Sequence, residues 1–169
     1  MADPLTGLPP LCSSGARVLL LGSMPGAVSL KQQQYYAHPR NLFWPIMARL
    51  ARFNADLPYQ DKTRALLKSG VALWDVIDSC QRSGSLDSAI RNEQVNDFAE
   101  FFQQQPALAA IGFNGAKAWQ SFKRYVLPLQ IVPQHIQLIT LPSTSPAHAA
   151  MSFDDKLTQW RQLSRYLPS

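Results

Sequence analysis

Arg17-Val18-Leu19-Leu20-Leu21, then Gly22-Ser23-Met24-Pro25-Gly26, then Gln34-Tyr35-Tyr36-Ala37-His38-Pro39-Arg40-Asn41-Leu42-Phe43-Trp44 is the stretch whose reading decides the fold. The first block belongs to an apolar run over residues 16–21, of strand length and apolar enough to be covered on both faces. A Gly/Pro-rich turn ends it and feeds a polar, aromatic loop. In an open α/β sheet the carboxyl end of such a strand is where ligands bind. Gly26, the second glycine of the turn, lets backbone approach a ligand closely, and Pro25 fixes the bend.

Downstream, apolar spacing predicts a helix over 42–53, with Pro45 in its first turn and Asn41 at the N-cap, where the side-chain oxygen bonds a backbone N–H. A short helix over 61–69 stops at Gly70, and Val71-Ala72-Leu73-Trp74-Asp75-Val76 reads as a second buried strand. Residues 79–92 are polar and turn-rich and read as a loop at the same end of the sheet as the first turn. A helix over 96–104 is capped by Asn96, and strands are predicted over 107–113 and 136–141. Between those strands lies an amphipathic helix over 116–125. A last helix over 153–166 is capped by Ser152 or Asp154. Alternating β and α units argue for a three-layer αβα domain of the α/β class, with a four-stranded, mainly parallel sheet. Residues 1–14, rich in Pro, Gly and Ser, form an arm lying over the domain or frayed, and 15–169 form one domain.

With 46% apolar and 16% charged residues the chain can bury a core unaided. Its net charge of +5 suits a polyanionic partner and equally a merely soluble basic domain. Arg40, Arg82, Lys117 and Arg124 are candidate phosphate contacts. Cys12 and Cys80 are isolated, and the three histidines lack carboxylate company, so neither a metal nor another cofactor is expected. The expected home is a reducing cytoplasm, with no signal peptide and no membrane span. P-loop, dinucleotide and serine-hydrolase motifs are absent from the sequence.

Gly22-Ser23-Met24-Pro25-Gly26 with Tyr36 to Trp44 resembles the first motif region of the uracil-DNA glycosylase superfamily, and Leu141-Pro142-Ser143-Thr144-Ser145-Pro146-Ala147 resembles the second. The mismatch-specific uracil glycosylases share the "AHPxNxFW" pattern but carry Asn where Met24 stands. Methionine cannot hold or activate a water. This departure, together with the segment from Ala72 to Ile90, resembles the hypoxanthine-DNA (deoxyinosine) glycosylase branch. The likeness runs from about residue 15 to 165.

That resemblance implies hydrolysis of the N-glycosidic bond of a flipped base through an oxocarbenium-like sugar. It implies Asn41 as the residue that orients the water, a role compatible with capping. Tyr36 takes the position of the ring that stacks on the base; a plain surface or core tyrosine is the alternative. His38 either stabilises charge on the leaving base or orders the loop. Ser23, through its backbone N–H, and the adjoining Met24 meet the base, and Asn114 is a base or water contact. Ser143, Thr144, Ser145, Pro146, Ala147 and His148 form a loop suited to clamp a phosphate backbone and enter the gap left by the base, unless it is an ordinary turn. Lys31 and Arg40 add phosphate contacts or solvated charge. No lysine stands as a Schiff-base nucleophile, which predicts a monofunctional enzyme acting as a monomer on damaged double-stranded DNA, with single-stranded DNA a further substrate. The alternatives are a uracil or thymine mismatch glycosylase of the same fold and a catalytically silent nucleic-acid binder.

Overall fold

The computed structural model describes residues 3–168. Met1 and Ala2 of the expected arm and Ser169 of the expected domain lie outside the described residues. In chain order the elements are β1 (Pro4–Thr6), β2 (Val18–Gly22), α1 (Ala27–Gln32), α2 (Phe43–Ala51), α3 (Tyr59–Lys68), β3 (Val71–Asp75), β4 (Ile77–Gln81), β5 (Arg91–Val95), α4 (Phe98–Gln104), β6 (Ala110–Asn114), α5 (Ala116–Tyr125), β7 (Gln137–Leu141) and α6 (Phe153–Trp160). Short 3₁₀ turns cover Asp87–Ala89, Leu127–Leu129 and Arg161–Tyr166.

A four-stranded parallel sheet with order β3-β2-β6-β7 forms the middle layer. Alternate residues of β2 point to opposite faces, so Val18 and Leu20 pack with Phe43, Ile46 and Met47 of α2, Leu66 of α3 and Trp160 of α6. Leu19 and Leu21 pack the other way, with Phe98, Phe101 and Phe102 of α4 and Phe122 of α5. Each large apolar side chain withdrawn from water in this way contributes about 1.5–3 kcal/mol. Because β3 and β6 flank β2 on opposite sides, the chain reverses direction of travel across the sheet there. The crevice for a ligand therefore opens beyond the carboxyl ends of these strands.

The predicted loop over 79–92 is only partly a loop. Its ends join β4 and β5, which with β1 make a second, antiparallel sheet of order β1-β4-β5. These strands bury one face only, around Met24, Ile77, Cys80 and Ile90, so most of their residues are polar and lack a strand signature. The arm is also more structured than its composition implies. Leu11 and Leu73 exchange backbone hydrogen bonds of 2.9 and 2.8 Å along the outer side of β3, and the Tyr35 hydroxyl donates to the Pro9 carbonyl at 2.7 Å.

Two local expectations shift, at Asn96 and Asn41, and a third, at Ser152, holds. Asp97, not Asn96, caps α4 by accepting from the Glu100 N–H, while the Asn96 amide donates to the Asp75 carbonyl at 2.7 Å. Ser152 caps α6. Asn41 sits one residue before the cap position of α2, with its Oδ1 accepting the Phe43 N–H at 2.9 Å.

Candidate active site

The carboxyl ends of all four parallel strands open on one cavity of about 650 Å³, within the range of roughly 300–1,000 Å³ that receives small ligands. Gly22 ends β2 and Ser23 to Gly26 follow it, Asp75 ends β3, Asn114 ends β6 and Ser143 to His148 follow β7, and all of them line it. Tyr36, His38 and Asn41 come from the loop before α2, and Ser85 to Ser88 from the β4–β5 connection.

The loops ahead of α2 and behind β7 lie side by side because the Leu42 N–H donates to the Thr144 carbonyl at 3.0 Å. Asn114 and Thr144 make a reciprocal pair, Nδ2 to Oγ1 at 2.9 Å and Thr144 N–H to Oδ1 at 2.9 Å. Both residues are buried. Thr144 thus faces inward as the anchor of its loop, and Ser143, Ser145 and Pro146 stand half-buried at the rim beside exposed Ala147 and His148. From below, buried Lys156 donates to the His148 carbonyl at 2.6 Å, and burial pushes its pKa down.

Asn41 is half-buried on the cavity wall, and its Nδ2 donates to no group among the described residues. The His38 Nδ1 accepts the Arg40 N–H at 3.1 Å, which places the proton of the neutral ring on Nε2. Tyr36 adopts φ +54°, a left-handed conformation uncommon for a bulky residue. Its ring stacks on Phe43 at 4.0 Å and 16°, so only the opposite face can serve as a platform. Its hydroxyl is buried beside Asn114, and burial, helped by Asp75 and opposed by Asn114, raises its pKa.

The first turn is held from the other side. The Ser23 hydroxyl donates to Asp87 at 2.6 Å and the Ser23 carbonyl accepts from the Ile77 N–H at 3.0 Å. Met24 reaches the cavity wall but packs with Ile77, Cys80 and Ile90. Arg82, read from sequence as a phosphate contact, is buried and donates instead to the Pro25 and Gly84 carbonyls. Lys117 is held by Glu93 at 2.9 Å, which also accepts from the Ser121 hydroxyl at 2.6 Å. Lys31, Arg40 and Arg124 are exposed.

Within the turn, side chains of the protein crowd Gly22 rather than Gly26. Gly26 has φ −72°, open to any residue, and a Cβ there would meet only Ser85 at ordinary contact distance. A Cβ on Gly22 would stand 2.5 Å from Asp75 Oδ1 and 3.1 Å from the Tyr36 hydroxyl. Asp75 is the site residue that sequence reasoning missed. It is 4% exposed, its Oδ2 has no hydrogen-bond partner among the described residues, and burial and then Asp87 raise its pKa to about 7, against the pull of Arg82. The available signal was a lone acid ending the apolar run Val71-Ala72-Leu73-Trp74. No group of three or more His, Cys, Asp or Glu able to hold a metal occurs among the described residues.

A parallel sheet with every strand end feeding one cavity defines the α/β class in which such loops carry the chemistry. The family model of the Uracil DNA glycosylase superfamily matches residues 9–164, and the chain belongs to that superfamily. It is 33% identical over 161 residues to the "Hypoxanthine DNA glycosylase" of Methanosarcina acetivorans, covering 95% of this chain and 98% of that protein. It is 35% identical over 113 residues to the "Hypoxanthine DNA glycosylase" of Methanosarcina barkeri, covering 66% of this chain and 72% of that one. A solution NMR structure from Methanosarcina acetivorans, described as that of a candidate uracil DNA glycosylase, superposes with a TM-score of 0.82 at 31% identity, over 96% of this chain and 98% of that one.

Proposed function

We propose that this chain is a monofunctional DNA glycosylase of base-excision repair that hydrolyses the N-glycosidic bond of a flipped hypoxanthine and leaves an abasic site. The observation that carries the reading is the stitch between the two motif loops, Leu42 N–H to the Thr144 carbonyl at 3.0 Å, which holds Asn41 and the Ser143–His148 loop at one cavity. A base swung out of the duplex enters that cavity at a cost of a few kcal/mol in lost stacking and pairing. It lies on the free face of Tyr36, with Ser23, Met24 and Asn114 around it. The Asn41 Nδ2 holds the water or grips the base while its Oδ1 stays on the Phe43 N–H, and the His38 Nε2–H stabilises negative charge as it develops on the base. The loop from Ser143 to His148, with Lys31 and Arg40, holds the phosphate backbone and fills the gap.

Double-stranded DNA is the substrate, single-stranded DNA a further one, and the protein acts as a monomer in the cytoplasm, where its free thiols Cys12 and Cys80 persist. No helix among the described residues is long and apolar enough to cross a membrane.

End-labelled duplexes holding deoxyinosine, deoxyuridine or a G·T mismatch test the reading. Expected is alkali-dependent cleavage at deoxyinosine, reduced about 10²–10³-fold by Asn41→Ala with DNA binding retained. Excision of uracil faster by orders of magnitude overturns the substrate, nicking before alkali overturns the monofunctional chemistry, and no excision of any lesion leaves a nucleic-acid binder.

A further inference from the structure

We infer that Asp75 is the general acid that delivers a proton to the departing purine, an inference that rests on the hypoxanthine reading above. Buried carboxylates in folded proteins are ordinarily held by N–H donors or a paired guanidinium. Asp75 has neither. Arg82, the cation acting on it, directs its hydrogen bonds to the Pro25 and Gly84 carbonyls. Asn96 donates to the Asp75 backbone carbonyl and leaves the carboxyl alone.

The position is equally specific. Pairing of Gly22 with Asp75 across β2 and β3 sets the acid over a residue with no side chain. Asp75 Oδ1 and the Tyr36 hydroxyl converge on the space a Cβ would fill there, and both residues line the cavity. A carboxyl and a phenol thus lie together at the wall of the base site, and the Asp75 Oδ2 has no hydrogen-bond partner among the described residues. The charged or titratable groups acting on Asp75 are Asp87 from the β4–β5 connection, Arg82 after β4, and Tyr35 and Tyr36 from the loop before α2. Burial and Asp87 favour the protonated acid, and Arg82 opposes them.

A purine differs from a pyrimidine in presenting a second imidazole nitrogen, N7, whose protonation draws electrons from the bond between N9 and C1′. In the step assigned here the carboxyl O–H bond of Asp75 breaks as an N–H bond forms at N7. The C1′–N9 electron pair leaves with the base, which departs as neutral hypoxanthine. Water adds to C1′ and its proton passes to solvent, from which Asp75 is recharged.

Single-turnover excision of hypoxanthine from a duplex, measured from pH 5.5 to 8.5, tests this. Expected for the unmodified protein is a rate falling tenfold per pH unit above about 7, and for Asp75→Asn a rate at pH 6 lower by about 10²–10⁴-fold with the alkaline fall lost. Duplex binding by Asp75→Asn stays within threefold of the unmodified protein. A 7-deazadeoxyinosine duplex supplies a test needing no variant: with carbon in place of N7 it is excised at least 10²-fold more slowly by the unmodified protein. Asp75→Asn keeping both the rate and the alkaline fall, or rapid excision of the 7-deaza base, overturns the proton donor while the substrate reading stands. An unmodified protein inactive on deoxyinosine overturns both.

Discussion

Replacing Asp75 by asparagine removes a titration while keeping the shape of the side chain, so its main effect on folding is a change in pH dependence. The folded-state pKa is raised to about 7 from an ordinary value of 3.8. Between those values the folded protein retains a proton that the unfolded chain has released, so stability is greatest below the lower value and declines as pH rises through the window. Above about pH 7 the decline is complete. At about 1.4 kcal/mol per pH unit the loss reaches up to about 4 kcal/mol, since the side chain is buried and solvent screens little of it. Asp75→Asn does not suffer this loss, so the variant and the parent converge near pH 4 and diverge toward pH 8.5, with the variant the more stable. For a chain of this size about 2–4 °C of melting temperature accompanies each kcal/mol, giving a separation of roughly 10 °C at pH 8.5. Thermal unfolding followed by circular dichroism at half-unit pH steps reads it directly. Melting curves of the two proteins that stay parallel from pH 4 to 8.5 refute the argument, because the carboxyl would then titrate alike folded and unfolded.

Three further substitutions probe how the site is held. Thr144→Val strands the buried Asn114 amide donor and is expected to lower stability by about 1–3 kcal/mol, while Thr144→Ser stays near the parent; urea unfolding separates them. Gly22→Ala drives a methyl into Asp75 and Tyr36 and is expected to lower stability by about 1–3 kcal/mol and abolish most excision, whereas Gly26→Ala leaves both nearly unchanged. Arg82→Met removes the ties to the Pro25 and Gly84 carbonyls, so the first turn and residues 83–88 are expected to exchange amide hydrogens faster; a phosphate contact would instead show as a shallower salt dependence of DNA binding.

The middle layer was legible because β2 and β3 are buried on both faces, so continuous apolar runs marked them, and β6 carries the same signature. The small sheet was not. Arg91-Asn92-Glu93-Gln94-Val95 becomes a strand only through pairing with Ile77–Gln81, itself paired with residues far away at the start of the chain, and such partnerships leave no local periodicity. The motif loops announced themselves through glycine and proline, and both do reach the cavity. Asp75 stayed hidden because its setting is made by the neighbouring strand: Gly22 lies 53 residues earlier in the chain. Arg82 misled for the opposite reason. A basic side chain reads as solvated until the fold encloses it among carbonyls.

The bridge between Leu11 and Leu73 has a bearing on solubility. The outer N–H and C=O groups of β3 would otherwise form an open border able to recruit a strand from another molecule. A chain shortened past residue 11 would therefore uncover that border and gain a tendency to self-associate along it.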